Sequence, residues 1–405
     1  MSVYVVCRRK EDRTMTALPI TPDFDVWPVD HQVQSLDVSS EALTITWSDG
    51  RKSAHHALLL RENSPDPVTT HPKAREMAIG PEELAEDLCL TGAELRASGA
   101  ISVTFSDGLT SEYHPGWLRG TAWFGDDTPE PLVLWTAAEQ PEPPTFNGPA
   151  ALDDPAVFLD WLEALHVYGV ARLRGLPQQD GLLEQIVTRI GPVRESNFGR
   201  QYVLEIKDDP DSQAYTSGAL LQHIDLPTRE LPFGLQFLYM RENTTTGGEG
   251  LYVDAYRVAE DMRTAQPEHF HSLITDVWEY NNRAKTSDYR GRGPVVETDA
   301  TGAITGVRYN TFLRAPMKAP LEVQARAYKA YRAFSERAQS PEYQMKFRYE
   351  AGDLLAFDNR RALHGRAGYD AKGGARFIEG IYADRDDLHS RIRTLKRQFR
   401  ADSVS

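Results

Sequence analysis

Leu220-Leu-Gln-His223-Ile-Asp225-Leu-Pro227 sets an imidazole and a carboxylate two residues apart inside an apolar run. Side chains two apart in an extended strand lie on one face. The spacing therefore predicts His223 and Asp225 turned the same way, with Leu221, Ile224 and Leu226 on the other face or the flanks. A second stretch completes the pattern. Asp353-Leu-Leu-Ala-Phe357-Asp-Asn-Arg-Arg-Ala-Leu-His364-Gly-Arg366 reads as a strand, a polar turn and a return that presents His364 beside a glycine. His364 is far along the chain from Asp225, so only a folded sheet brings the three together.

Two imidazoles and one carboxylate form the facial triad of non-haem Fe(II) oxygenases, which leaves positions open for a chelating cosubstrate and O2. Similar ligands also serve zinc hydrolysis, but no HExxH helix supplies a general base here. Arg376 sharpens the first reading. It lies one strand-length beyond His364, and a guanidinium takes a carboxylate through two parallel hydrogen bonds. That is what holding the distal carboxylate of 2-oxoglutarate requires. The alternative for Arg376 is an ordinary ion pair to Glu379 or Asp384.

Working outward, residues 151–405 alternate short strands with a few helices. Asp154-Pro155 opens a capped helix that ends before Gly169. Strands are expected near 170–173, 202–206, 234–240, 274–279, 304–309, 345–349, 353–357 and 376–382, and a long helix near 321–339. Such a mixture is mostly β with flanking helices (α+β): a sandwich or jelly roll braced by helices, not a doubly wound sheet. Residues 126–150 are rich in Pro, Glu and Gly around Leu132-Val-Leu-Trp135 and read as an interdomain linker with one anchoring contact at that apolar cluster. Residues 31–125 form a small β-rich domain, and 1–30 a loose arm. Within that domain ITWSDGRKSAHHALLLR (45–61) and ISVTFSDGLTSEYHPGWLR (101–119) resemble each other, each a strand entering an Asp-Gly turn.

Composition narrows the classes. The 405 residues carry 45 basic and 59 acidic side chains, a formal charge of −14, which disfavours a nucleic-acid partner. Only Cys7 and Cys89 are present, so neither a disulfide framework nor a multi-cysteine metal site is available. The N-terminus is too short in apolar residues for a signal peptide, and no stretch reaches membrane-spanning length. The expectation is a cytoplasmic enzyme with a small-molecule substrate and no membrane partner.

Several blocks in order resemble the γ-butyrobetaine and trimethyllysine hydroxylase branch of the taurine-dioxygenase-like oxygenases. They are AYTSGALLQHIDLP (214–227), PFGLQFLY (232–239), GGEGLYVDAY (247–256), FDNRRALHGR (357–366) and FIEGIYADRDDLHSRIR (377–393). The resemblance implies a double-stranded β-helix (jelly-roll) core, Fe(II), 2-oxoglutarate, O2 and a homodimer. By position it makes His223, Asp225 and His364 the iron ligands and Arg376 the 2-oxoglutarate anchor. Phe198, Tyr202, Tyr215 and Tyr382 fall where the family cages a trimethylammonium group, a cation that π-faces hold because it donates no hydrogen bonds. The alternative for Phe198 and Tyr202 is a place as core aromatics. Asn310 and Ser212 fall where the family meets the substrate's anionic end.

The chain also departs from the family. Ser212 replaces an asparagine, with Asp211 beside it, and Gly250 replaces a Ser/Thr near the cosubstrate. In the N-terminal domain Ser64, Asp66, Thr69 and Leu109 stand at three cysteine and one histidine zinc-ligand positions, so no structural zinc is expected. His55, His56, His71 and His114 read as structural or solvated. The expected activity is hydroxylation of a small trimethylammonium zwitterion such as γ-butyrobetaine. The alternatives are the same chemistry on another amino-acid-like or specialised metabolite, or a scaffold that keeps the fold without turnover.

Overall fold

The computed structural model describes residues 17–125, 132–206, 215–284, 287–370 and 373–404. The chain divides into two compact units, Met1–Glu130 with Phe399–Ser405, and Pro131–Gln398.

The first unit repeats one pattern twice. Strands Val33–Val38, Ala42–Trp47 and Lys52–His56 lead into the short helix Ala57–Glu62. Strands Leu90–Leu95, Ile101–Phe105 and Thr110–Tyr113 lead into Pro115–Gly120. The two Ser-Asp-Gly segments are thus structural copies. Gly50 (φ 82°) and Gly108 (φ 87°) turn both hairpins in the left-handed region that a Cβ disfavours. In each copy a histidine caps the helix at the end of the third strand, His56 as its last residue and His114 just past it: His56 Nδ1 accepts from Leu58 N–H and His114 Nδ1 from Gly116 N–H. The copies also exchange ion pairs. Arg61 reaches Asp107 at 2.7 Å, and its counterpart Arg119 reaches Asp49 at 2.6 Å. That reciprocity is the signature of a twofold relation.

Alternating inward residues build this unit's core, Leu43, Ile45 and Trp47 from one copy and Ile101, Val103 and Phe105 from the other. Beside it lies a buried polar knot. Ser64 and Ser111 share a hydroxyl hydrogen bond (2.5 Å), Thr70 donates to the Ser64 carbonyl (2.7 Å) and Arg61 donates to Thr69 Oγ1 (2.7 Å). Asp66 Oδ1 accepts from the Val68 and Thr69 N–H groups. Leu109 packs on the apolar core, and His71 Nδ1 accepts from Ala74 N–H in a turn.

His55 is buried against Ser53 Oγ, and burial pushes its pKa down to about 4. The folded imidazole stays neutral while an unfolded one protonates below its usual ~6.5. Its contribution is therefore complete above pH 6.5 and lost as the pH falls towards 4, by on the order of 3 kcal/mol. Thermal melts at pH 7.5 and 5 should show His55→Asn losing less stability on acidification than the parent.

The second unit is two facing sheets. The larger has the order Thr145–Asn147, Val170–Arg174, Leu354–Asp358, Leu235–Asn243, Arg376–Ala383, Tyr202–Leu204, antiparallel except for its first pair. The smaller has the order Leu220–His223, Ala362–Arg366, Gly250–Asp254, Met345–Phe347. Period-two patterning assigns the faces. Phe237, Tyr239, Leu354 and Ala356 turn outward to helices Pro155–Tyr168 and Leu182–Thr188. Leu238, Met240, Leu355 and Phe357 turn inward towards Tyr252, Met345 and Phe347 of the smaller sheet. Helices Ala255–Ala265, Pro267–Thr275 and Leu321–Ala338 cover that sheet's outer face over Val253 and Leu363. This is the jelly roll with flanking helices.

Two segments differ from the sequence reading. In residues 132–147 the expected anchoring contact is Trp135, buried with its indole donating to the Tyr168 carbonyl (2.9 Å), but the linker reading missed Thr145–Asn147, which joins the larger sheet. The Pro and Glu content signalled loop there, and the partner strand lies outside the segment. Near 274–279, the helix opened by Pro267 runs through Thr275, and the strand begins only at Trp278.

The turn before His364 is pinned by a buried ion pair. Arg361 meets Asp254 at 2.8 Å and also donates to the Val133 and Val167 carbonyls. Asp254 in turn caps helix Ala255–Ala265. Arg361→Met would leave that carboxylate buried and unpaired. A loss of about 3–5 kcal/mol is expected, read as a lower urea midpoint.

Candidate metal centre

His223 ends strand Leu220–His223, and Asp225 lies in the bend beyond it. The two therefore do not share a strand face. What brings them together is a tight turn in which Leu226 adopts a positive φ of 52°. Asn359 fixes that bend: its side chain accepts from Asp225 N–H (2.8 Å) and donates to the Asp225 and Phe233 carbonyls. His364 enters from strand Ala362–Arg366, directly opposite His223 in antiparallel register. Both imidazoles consequently face the interior, ring centroids 4.3 Å apart. Gly365 makes this close pairing possible, since a Cβ there would lie 2.6 Å from the Leu220 carbonyl oxygen.

Among the described residues, His223, Asp225 and His364 are the group of three whose ligand atoms gather within 4.8 Å. Asp225 Oδ1 is 3.2 Å from His223 Nε2 and 3.7 Å from His364 Nε2. Its other oxygen, Oδ2, is held by Tyr382 Oη–H (2.7 Å) and Gln236 Nε2–H (2.9 Å). One oxygen is thus fixed from behind while the other looks at the imidazoles, an arrangement that orients a metal ligand. His223 Nδ1 lies 2.8 Å from the Leu221 carbonyl. A proton on Nδ1 for that bond leaves the Nε2 lone pair facing the cluster.

Electrostatics agree. Burial, reinforced by His223, pushes the His364 pKa down to about 3 against the pull of Asp225, so its imidazole is neutral. Burial raises the Asp225 carboxyl, but the adjoining imidazoles of His364 and His223 and the Tyr382 hydroxyl outweigh it and hold the group well below the usual carboxylate range. His364 Nδ1 is buried without a hydrogen-bond partner among the described residues. Two imidazole nitrogens and one carboxylate oxygen with an oriented partner shell fit a divalent transition metal. Phe312 and Phe357 pack at 4.8 Å on the rings of His223 and His364.

Arg376 opens strand Arg376–Ala383 and lines the cavity that holds the three ligands. Its Nε is buried without a hydrogen-bond partner among the described residues. Both carboxylates that offered it an ion pair are engaged elsewhere, Glu379 with Arg241 and Asp384 with Arg194, each at 2.7 Å. Arg366 lies nearby. It and Arg376 approach the Tyr369 ring at 4.8 and 5.3 Å, and burial with the Arg376 charge pushes the Arg366 pKa down to about 10.

Three of the expected cage residues touch in series: Phe198 meets Tyr202 at 6.4 Å, and Tyr202 stacks on Tyr382 at 5.2 Å. Phe233 extends the wall, stacked on Tyr382 at 4.6 Å. Tyr202 lines the metal cavity and Phe198 is partly exposed. Tyr215 is buried. The Tyr202 and Tyr382 hydroxyls meet Gln236 and Asp225 respectively. Asn310 is buried, donating to the Ile224 carbonyl and accepting from the Phe312 and Leu313 N–H groups, so it braces the Asp225 bend. Ser212 and Asp211 lie outside the described residues.

Sequence reasoning missed Gln236 and Asn359, amides whose partners are remote in sequence. Tyr382→Phe keeps the ring and removes the hydroxyl behind Asp225. Fe(II) affinity should fall by about ten- to a hundredfold in an anaerobic titration.

Comparison with known proteins places the chain. Residues 130–382 match the taurine catabolism dioxygenase TauD, TfdA family, and residues 34–119 match the γ-butyrobetaine hydroxylase-like N-terminal family. The γ-butyrobetaine dioxygenase of Pseudomonas sp. (strain AK-1) is 36% identical, covering 93% of this chain and 99% of that protein. The human γ-butyrobetaine dioxygenase is 27% identical over 91% of this chain and 97% of its own length. Human mitochondrial trimethyllysine dioxygenase is 28% identical over 77% and 76%. With a matched region spanning well over half its length and a relative aligned nearly end to end, this chain belongs to the TauD, TfdA dioxygenase family, in the branch of the γ-butyrobetaine and trimethyllysine hydroxylases.

Proposed function

We propose that this 2-oxoglutarate-dependent dioxygenase hydroxylates a carbon of a small trimethylammonium zwitterion, γ-butyrobetaine or a close analogue. The observation that carries the reading is one cavity lined by the His223–Asp225–His364 cluster, by Tyr202 and by Arg376, whose guanidinium has no carboxylate partner among the described residues.

His223, Asp225 and His364 would hold ferrous iron, and Arg376 would receive the distal carboxylate of 2-oxoglutarate. When bound, ferrous iron with 2-oxoglutarate and O2 supplies the oxidising power that replaces a C–H hydrogen by hydroxyl, with succinate and CO2 as coproducts. The protein's part is orientation and exclusion of water. Tyr382 and Gln236 keep Asp225 from rotating, while Phe312 and Phe357 shield the imidazoles. Phe198, Tyr202, Tyr382 and the buried Tyr215 offer π-faces to a quaternary ammonium, each contact worth about 0.5–2 kcal/mol. A substrate held there has one carbon directed at the metal side.

Succinate release coupled to each member of a betaine panel tests the substrate class. Turnover confined to non-quaternary compounds would remove the ammonium reading and leave the oxygenase.

The same reading takes the enzyme as a cytoplasmic homodimer. No helix among the described residues is long and apolar enough to cross a membrane. Light scattering across a dilution series tests the subunit count.

A further inference from the structure

Arg376 is not the cavity's only source of unused donors. Tyr252, from strand Gly250–Asp254, and Tyr349, just past strand Met345–Phe347, are both almost completely buried and both line the metal cavity. Their hydroxyls bond each other at 2.6 Å, and neither makes another hydrogen bond among the described residues. Two hydroxyls carry two protons. One is spent in the mutual bond, so the other has no acceptor there. A buried donor left unsatisfied is costly unless a ligand completes it.

The local packing is arranged around this pair. At Gly250 a Cβ would lie 2.9 Å from the Tyr349 ring and 3.0 Å from the Tyr252 ring, so glycine is what admits both rings. Tyr252 also stacks on Phe347 (5.6 Å) and crosses Phe357 edge-on (5.3 Å), which fixes the hydroxyl's direction. Burial raises both phenol pKa values, so they stay protonated donors, and the Arg376 charge acts on each.

We infer that the Tyr252–Tyr349 hydroxyl pair is a relay that donates its spare proton to the same distal carboxylate that Arg376 receives. The pair and the guanidinium together make the cavity select a dicarboxylic 2-oxo acid over a monocarboxylic one. This rests on the Arg376 reading above. The two tyrosines are positioning and binding residues for the cosubstrate, and no covalent step is assigned to them.

The test is anaerobic calorimetric binding to the Mn(II)-loaded full-length enzyme, comparing 2-oxoglutarate with the monocarboxylic 2-oxopentanoate. Tyr349→Phe and Tyr252→Phe keep the rings and are each expected to weaken 2-oxoglutarate about tenfold, leaving 2-oxopentanoate and Mn(II) affinities unchanged. The double variant should be little worse than the single ones, because the hydroxyls act as one unit. A merely structural role would weaken both keto acids alike, and that result overturns the inference. So does unchanged 2-oxoglutarate binding in both single variants while Arg376→Met binds it poorly. If Arg376→Met itself leaves 2-oxoglutarate binding intact, the cosubstrate anchor reading fails with it.

Discussion

Asp225→Ala will give a folded protein that no longer retains Fe(II) and turns over no substrate. An outer hydrogen-bond partner of a metal ligand is worth about ten- to a hundredfold in affinity. Removing the ligand itself must cost more, because it takes away the charge that balances the metal as well as one bond. The geometry adds a second loss. Tyr382 and Gln236 both donate to Asp225 Oδ2, so the truncation leaves two buried donors without their acceptor. That costs about 1–3 kcal/mol of stability for each. Circular dichroism and an anaerobic Fe(II) titration on the same sample separate the two effects. His364→Ala is the control, since its Nδ1 lacks a hydrogen-bond partner among the described residues. It should lose the metal with a smaller stability cost. Retention of stoichiometric, tight Fe(II) by either variant would mean that the ion sits elsewhere.

Arg376→Met should raise the 2-oxoglutarate dissociation constant by roughly a hundredfold or more. A bidentate guanidinium–carboxylate contact contributes two charge-assisted hydrogen bonds, each worth about 1.5–3 kcal/mol. The apo protein should respond in the opposite sense. Burial lowers the Arg376 pKa, the neighbouring tyrosines only partly compensating, which marks a cation held without a full counter-charge. Replacing it with a neutral chain of similar length removes that penalty, so the thermal midpoint of the unliganded enzyme should stay level or rise. A fall in both stability and affinity would instead assign Arg376 a structural ion pair. Raising 2-oxoglutarate should restore kcat in the variant, since the loss lies in binding.

The chemistry of the ligands was legible because it depends on residue type and local spacing. His223, Asp225 and His364 stand out as an imidazole–carboxylate pair and a histidine after a strand and polar turn. The strands themselves were legible as short apolar runs bounded by polar turn residues, as in Leu235–Asn243 and Leu354–Asp358. The duplicated hairpins followed from two Ser-Asp-Gly turns. What failed locally failed for physical reasons. The stretch around Trp135 reads as a linker with one anchoring contact, and what that reading lacks is the short strand Thr145–Asn147, whose partner strand lies outside the segment. His223 and Asp225 were read as one strand face, but the strand stops at His223 and a bend supplies the approach.

The sequence by itself determined which side chains carry charge, lone pairs and aromatic faces, and where the chain alternates, turns and caps. Only the tertiary structure decided which of them meet. Pairing of His223 with His364, Gln236 and Tyr382 behind Asp225, Asn359 under the bend, and Tyr252 against Tyr349 all join segments distant in sequence. Such contacts are set by sheet register and by facing layers. Register is a property of the whole packed core and leaves no periodic trace in any single segment.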